Sequence, residues 1–173
     1  MYESFDQFYP DKCCQGDQPP CACACPFHLD VRDFTGKYRR GSIDAAVKTY
    51  RNAVVFPRIV AELCSHPCTA HCTRGGIDYS IDLLELERAA VKYARSLDPI
   101  NFNVPVKDKK IAIIGAGISG LACAFKLAAK KYQVTVFEKT DRIGGKLWEL
   151  MDPEVFLADI ATQGKYLTYE TVL

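Results

Sequence analysis

The chain has 173 residues, room for one or two domains, and 49% of them are apolar, which excludes a wholly disordered protein. Its 22 Lys and Arg against 21 Asp and Glu leave a net charge of +1, so the balance gives no case for a nucleic-acid or membrane partner. The opening Met1-Tyr-Glu-Ser-Phe-Asp6 is acidic and lacks an apolar run; the longest uncharged apolar stretch, Ile111–Phe125, is shorter than the roughly 20 residues that span a bilayer. A soluble, cytoplasmic protein is expected.

Residues 1–30 read as irregular, because Gly16, Pro19, Pro20 and Pro26 interrupt any helix. The region is dense in cysteine: Cys13, Cys14, Cys21, Cys23 and Cys25, the last followed by Pro26. Of the nine cysteines in the chain, eight lie between Cys13 and Cys72. In a reducing compartment they argue for metal rather than disulfides, and eight is what two four-ligand sites require. A crowded run closing in Cys-Pro suits iron–sulfur ligation better than the separated pairs that zinc prefers. Residues 31–62 then look helical, with Val31, Phe34 and Tyr38 followed by Ile43, Ala46, Val47 and Tyr50 as core positions.

Next comes Cys64-Ser-His-Pro-Cys68-Thr-Ala-His-Cys72, whose two three-residue gaps bring the sulfurs into one compact turn or helical face. Together with the first run these thiols can enclose two cubanes. His66 and His71 are expected as hydrogen-bonding neighbours or surface groups, because soft iron prefers the sulfur available, and His28 as structural. Ser80–Leu97 reads as a helix with an apolar face of Leu83, Leu84, Leu86, Ala90, Val91 and Ala94. The Pro- and Asn-rich stretch 98–109 reads as a linker, which divides the chain into 1–97 and 110–173.

A buried strand at 110–115, a glycine turn and a helix at 118–130 follow. The turn is Gly115-Ala116-Gly117-Ile-Ser119-Gly120, the pattern of a dinucleotide-binding βαβ unit. Gly115 serves the tight turn, Gly117 the approach of a pyrophosphate, and Gly120 the packing of helix on strand. A second strand, Gln133-Val-Thr-Val-Phe-Glu138, ends in an acid 18 residues past Gly120, close to the spacing of a ribose-binding carboxylate. Cys123, inside the helix, is expected as a small core residue. Lys139 follows the acid, and Gly144-Gly145-Lys-Leu147 supplies a second close backbone approach, to the same pyrophosphate. A short helix at 153–163 and a strand at 166–172 complete the reading. The fold class is thus a helical iron–sulfur domain followed by an incomplete Rossmann-like βαβ domain.

On these motifs the chain resembles the N-terminal part of the glutamate synthase small-subunit family, a plan shared with dihydropyrimidine dehydrogenase and the large subunit of ferredoxin–NADP transhydrogenases. The resemblance is carried by Pro19-Pro-Cys21-x3-Cys25-Pro26, by Cys64-x3-Cys68-x3-Cys72 with Arg74-Gly75 and Leu86-Glu87-Arg88, and by Val134–Glu138 with Gly144-Gly145-Lys-Leu147. It implies two 4Fe-4S clusters and FAD. One cluster would be held by Cys21, Cys72 and cysteines of the first run; the other by Cys25, Cys64, Cys68 and Glu87, with Glu85 the alternate ligand. FAD would contact Gly115, Ala116, Gly117, Ser119, Gly120, Glu138, Lys139, Gly144, Gly145 and Leu147. Gly16 stands where the family has a second cysteine, so Cys14 or Cys23 substitutes or the first cluster is altered.

The resemblance implies an electron-transfer subunit or module of an NAD(P)H-linked flavo-iron–sulfur oxidoreductase, in which no catalytic acid, base or nucleophile can be nominated. The rival is a zinc-stabilised scaffold or assembly factor with a vestigial nucleotide fold. Residues 110–173 supply two clear strands and one clear helix, near the lower limit for an independent core. Another polypeptide is therefore expected to complete the FAD domain and to carry the NAD(P)H site, with further redox subunits beside it.

Overall fold

The computed structural model describes residues 18–99, 103–164 and 170–172. Cys13, Cys14 and Gly16 lie outside them. The chain forms two compact units. One takes in the chain up to Ala53 together with Cys64–Ala94; the other comprises Val54–Leu63 and the chain from Arg95 onward.

The first unit is helical: α1 (Pro20–Ala24), α2 (Val31–Arg39), α3 (Ile43–Ala53), α5 (Pro67–Ala70) and α6 (Leu83–Tyr93), with α4 (Pro57–Leu63) belonging to the other unit. Helix α1 corrects the expectation of irregular backbone before residue 30. Pro20 sits at its start, where the missing N–H is not needed, so the proline begins a helix rather than breaking one. Asp30 caps α2 by accepting from the Asp33 N–H at 3.0 Å. Asp82 caps α6 by accepting from the Glu85 N–H at 3.2 Å, so the helix runs Leu83–Tyr93 rather than over the expected Ser80–Leu97. Helices α2, α3 and α6 bury Phe34, Ala46, Val47, Tyr50, Leu83 and Ala90. The Tyr38 hydroxyl donates to the Leu86 carbonyl at 2.9 Å and ties α2 to α6.

The second unit contains a parallel three-stranded sheet, β1 (Lys110–Ile114), β2 (Gln133–Phe137) and β3 (Glu170–Val172), in the order β1-β2-β3. Helix α7 (Ile118–Ala129) crosses from β1 to β2. Ile111 pairs with Val134 and Ile113 with Val136, so these four share one face. That face packs with Leu121, Ala124, Phe125 and Ala128 of α7, positions spaced three and four apart as an amphipathic helix requires. The opposite face carries Ile114, 84% exposed, and Phe137, 41% exposed. Parallel sheets are ordinarily covered on both faces.

Helices α8 (Leu147–Leu150) and α9 (Pro153–Gly164) follow β2. Phe56 and Ile59, at the start of α4, join the core of this unit with Phe125, Phe156 and Ile160. The sequence groups 54–63 with the cysteine-rich half, but the packing puts this segment in the other unit. Two buried side chains of α9 hold the arrangement. Asp159, 0% exposed, accepts from the Arg58 and Ile59 N–H groups at 2.9 and 3.0 Å, and Gln163 donates to the Leu97 carbonyl at 3.0 Å. Burial raises the Asp159 carboxyl to about 6, opposed by those N–H donors and the Arg58 charge. Cys123 is another correction. It is exposed on α7, because Leu121, Ala124, Phe125 and Ala128 claim the inner face and residue 123 falls outside that stripe.

Candidate functional site

The cysteines of the helical unit are positioned by two short helices that pack on each other, α1 and α5. Cys21 lies on α1 and Cys25 caps its end, four residues apart and therefore on one side. Both are half-buried. Cys23, two residues from each, points elsewhere: it is exposed, with its sulfur 3.7 Å from the Gln18 carbonyl oxygen. Cys68 is buried in α5, and Cys64 and Cys72, on either side, are half-buried.

Cys68, Cys64, Cys25 and Glu87 share one electrostatic neighbourhood. Burial pushes the Cys68 thiol up to about 11, and the charges of Glu87, Cys25 and Cys64 add to the effect. The Cys64 thiol is raised by burial as well; the His66 backbone N–H works against this, while Glu87 and Cys25 reinforce it. Glu87 lies on the inner face of α6, 5% exposed. Burial raises its carboxyl to about 7, opposed by a hydrogen bond from Tyr50. Its Oε2 has no hydrogen-bond partner. Glu85, by contrast, has its side chain 63% exposed and paired with Arg88 at 2.9 Å, as a solvated helix charge would be. Among the described residues no three His, Cys, Asp or Glu side chains converge on a single-ion site.

The donor set fits an iron–sulfur cluster. Cys64 and Cys68, two thiols raised by burial, lie with the half-buried Cys25 beside a buried carboxylate that has an orphaned oxygen, a group of would-be anions. Iron ligation takes the protons off the thiols and supplies a counter-charge. His66 lies among them. Its Nε2 is 3.7 Å from Glu87 Oε2 and also lacks a hydrogen-bond partner. Burial lowers the pKa of the imidazole, and the Arg88 charge lowers it further. His71 Nδ1 is 2.9 Å from the Pro67 carbonyl oxygen, and His28 is exposed.

In the other unit the glycine turn joins β1 to α7, with Gly117 as the helix N-cap. What an added methyl group would meet distinguishes the three glycines. At Gly120 it would lie 1.9 Å from the Gly115 carbonyl oxygen, so this glycine lets the helix close on the turn. At Gly115, with φ +96°, and at Gly117 it would meet nothing within 4 Å. Those two positions border open space at the N-terminus of a 12-residue helix, whose first N–H groups have no intrahelical acceptors. Ser119 is exposed in that first turn.

Glu138 closes the site from the end of β2. Its Oε2 accepts from the Ala116 N–H at 2.7 Å, and its Oε1 from the Lys139 and Thr140 N–H groups at 2.9 and 3.1 Å. The Ala116 N–H leads the donors that hold the carboxyl below its ordinary value, so Glu138 is an anion fixed against the glycine turn. The second glycine pair abuts the first. The Gly144 N–H donates to the Ala116 carbonyl at 2.8 Å, and a methyl on Gly145 would lie 3.1 Å from Gly117 Cα. Leu147 turns into the core, 2% exposed, while Lys139 is exposed.

Pattern reading misses the Tyr50 hydrogen bond to Glu87, the buried Asp159 and the inward turn of His66. Asp159 and Gln163 share the helical stripe of Phe156 and Ile160, and polar groups at core spacing are the available signal. No spacing shows which way a histidine between two cysteines points.

A helical unit lined with cysteines, followed by a glycine-turn βαβ unit, defines an iron–sulfur protein with a Rossmann-type nucleotide domain. The chain belongs to the family described as dihydropyrimidine dehydrogenase domain II, 4Fe-4S cluster, whose model matches residues 7–98; residues 113–163 match an NAD(P)-binding Rossmann-like domain. It is 35% identical over 121 residues to the NADPH-Fe(3+) oxidoreductase subunit beta of Geobacter sulfurreducens, covering 69% of this chain and 18% of that protein. It is 30% identical over 151 residues to the NADP(+)-dependent formate dehydrogenase subunit beta of Moorella thermoacetica, covering 74% and 21%. Against the glutamate synthase [NADPH] small chain of Bacillus subtilis it is 31% identical over 125 residues, covering 71% and 25%. The chain thus spans about a fifth of the length of these relatives, and the resemblance read from its motifs is borne out. No helix among the described residues is long and apolar enough to cross a membrane.

Proposed function

We propose that this chain is the electron-transfer module of an NAD(P)H-linked oxidoreductase, holding two 4Fe-4S clusters and FAD. The observation that carries the reading is the buried Glu87 carboxylate, with an unpartnered oxygen, in the neighbourhood of Cys25, Cys64 and Cys68 within a 4Fe-4S family domain. Clusters supply one-electron carriers when bound, and flavin exchanges electrons one or two at a time. The protein's part is to hold them at fixed distance and potential.

Cys25, Cys64, Cys68 and Glu87 hold the second cluster. Cys21, Cys72, Cys13 and Cys14 hold the first; Cys14 is preferred over Cys23 because the Cys23 side chain is exposed beside Gln18. Gly115 and Gly117 admit the pyrophosphate to the helix N-terminus, and Glu138 accepts from the ribose hydroxyls. The carboxylate repels a 2′-phosphate, which disfavours NADP there. A further polypeptide segment, in this chain or a partner subunit, covers the sheet face of Ile114 and Phe137, completes the FAD domain and brings the NAD(P)H site. The names of the relatives, beta subunits and a small chain of NADPH- or NADP-dependent oxidoreductases, support this arrangement.

The test is anaerobic addition of NADH or NADPH to the complex purified with its natural partners. Flavin bleaching followed by a reduced-cluster EPR signal is expected. Extraction of NAD without flavin from a complex with intact clusters would overturn the FAD assignment, and bound zinc in a colourless protein would overturn the whole reading.

A further inference from the structure

His66 Nε2 and Glu87 Oε2 are both buried, both without a hydrogen-bond partner, and 3.7 Å apart. The two side chains are only 10% and 7% exposed, so bulk water does not satisfy them. Buried polar atoms are nearly always partnered, and an orphan marks a strained, catalytic or ion-binding group. Two orphans facing each other point to a shared occupant. Two donors each about 2.1 Å from one first-row metal can lie up to about 4.2 Å apart, so atoms 3.7 Å apart can both reach one ion, an iron of more than four ligands where three are cluster sulfides.

The backbone is arranged to present this imidazole. His66 has φ +52°, in the left-handed region that side chains rarely adopt, and such conformations persist where the surroundings demand them. The turn aims the His66 N–H at the Cys64 thiol and hydrogen-bonds the ring to the Cys64 backbone. An imidazole whose Nε2 carries no proton presents a lone pair there, the form in which histidine binds metal, and the unpartnered Nε2 faces Glu87.

We propose that His66 Nε2 is a nitrogen ligand to the iron at the non-cysteine corner of the cluster held by Cys25, Cys64 and Cys68, sharing that iron with Glu87. The proposal rests on the reading of this cage as a cluster site. Imidazole and carboxylate are both competent iron donors, and together they would make this corner electronically distinct from the three thiolate corners.

The experiment is pulsed EPR on the anaerobically reduced complex, purified with its natural partners from cells grown on 15N-histidine. A strong nitrogen coupling that changes with the isotope, disappears in His66→Ala and survives in His71→Ala is expected. A cluster signal at this cage with only weak nitrogen couplings, the same in parent and His66→Ala, would overturn the proposal and leave Glu87 as the sole non-cysteine ligand. Should His66→Ala fail to assemble, His66→Gln is read in its place: loss of the isotope-sensitive coupling supports the proposal and its retention overturns it. An iron analysis showing no cluster held by these cysteines would instead remove the functional reading on which the proposal rests.

Discussion

Gly117 and Gly120 belong to the same motif but make opposite demands on an added methyl. In Gly117→Ala the methyl would meet no protein atom within 4 Å, and its φ of −72° suits any residue. Alanine is a poorer N-cap than glycine, but it also lowers the entropy of the unfolded chain; each effect is roughly 0.5–1 kcal/mol and they oppose. The fold should therefore be unchanged within about 1 kcal/mol. The methyl projects into the space assigned to the pyrophosphate, however. Overpacking of about 1–3 kcal/mol there would weaken nucleotide binding by roughly 5- to 150-fold. In Gly120→Ala the methyl would sit 1.9 Å from the Gly115 carbonyl oxygen, so the helix must move by an ångström or more, and stability should fall along with binding. The assay is thermal unfolding of the flavin-stripped complexes, alongside flavin titration. A Gly117→Ala protein that melts like the parent but has lost its flavin fits the account. One that binds flavin with parental affinity would refute the pyrophosphate assignment.

Three further outcomes are expected. Asp159, raised from 3.8 to about 6 on folding, binds its proton more tightly when folded; its contribution is full below about pH 4 and is lost as pH rises through 6, by ~3 kcal/mol at most. Asp159→Asn should abolish that pH component, while Asp159→Ala, which strands two N–H donors, should lower stability by ~1–3 kcal/mol; a parental pH slope in the Asn variant, read by melts across pH, contradicts this. Cys68→Ser should lose the cluster of the Cys25–Cys64–Cys68 cage and about half the iron, since a buried serine is a poor substitute for a soft ligand; unchanged iron content would refute the ligand assignment. Glu138→Ala, which removes an anionic acceptor, should raise the flavin dissociation constant roughly tenfold; an unaltered titration counts against a ribose contact.

Much of the nucleotide unit is legible in the sequence. β1, α7 and β2 lie within a residue of where the sequence puts them, because an apolar strand, a glycine turn and a helical stripe each impose their own period. The errors come from packing that acts over long distances. Leu63 adjoins Cys64 in the chain, so the sequence groups 54–63 with the cysteines, yet Phe56 and Ile59 find their apolar partners on α7 and α9 and Asp159 caps the segment from 100 residues away. Cys123 is expected inside because thiols favour cores, but its angular position on α7 puts it outside. In the cluster region, cysteine spacing shows that thiols can meet but not which do. The direction of Cys23, the burial of Glu87 against the exposure of Glu85, and the inward turn of His66 emerge only once α1, α5 and α6 are packed together.

The central claim is tested most directly by counting. Iron, inorganic sulfide and flavin should be measured per chain on the complex purified anaerobically with its natural partners, with the content of the partner subunits, measured separately, subtracted. About eight iron, eight sulfides and one FAD are expected, from the two four-iron sites that Glu87 and seven of the eight clustered cysteines can hold. Near four iron would mean that Gly16 has cost the first cluster. Stoichiometric zinc with neither iron nor flavin would contradict the account.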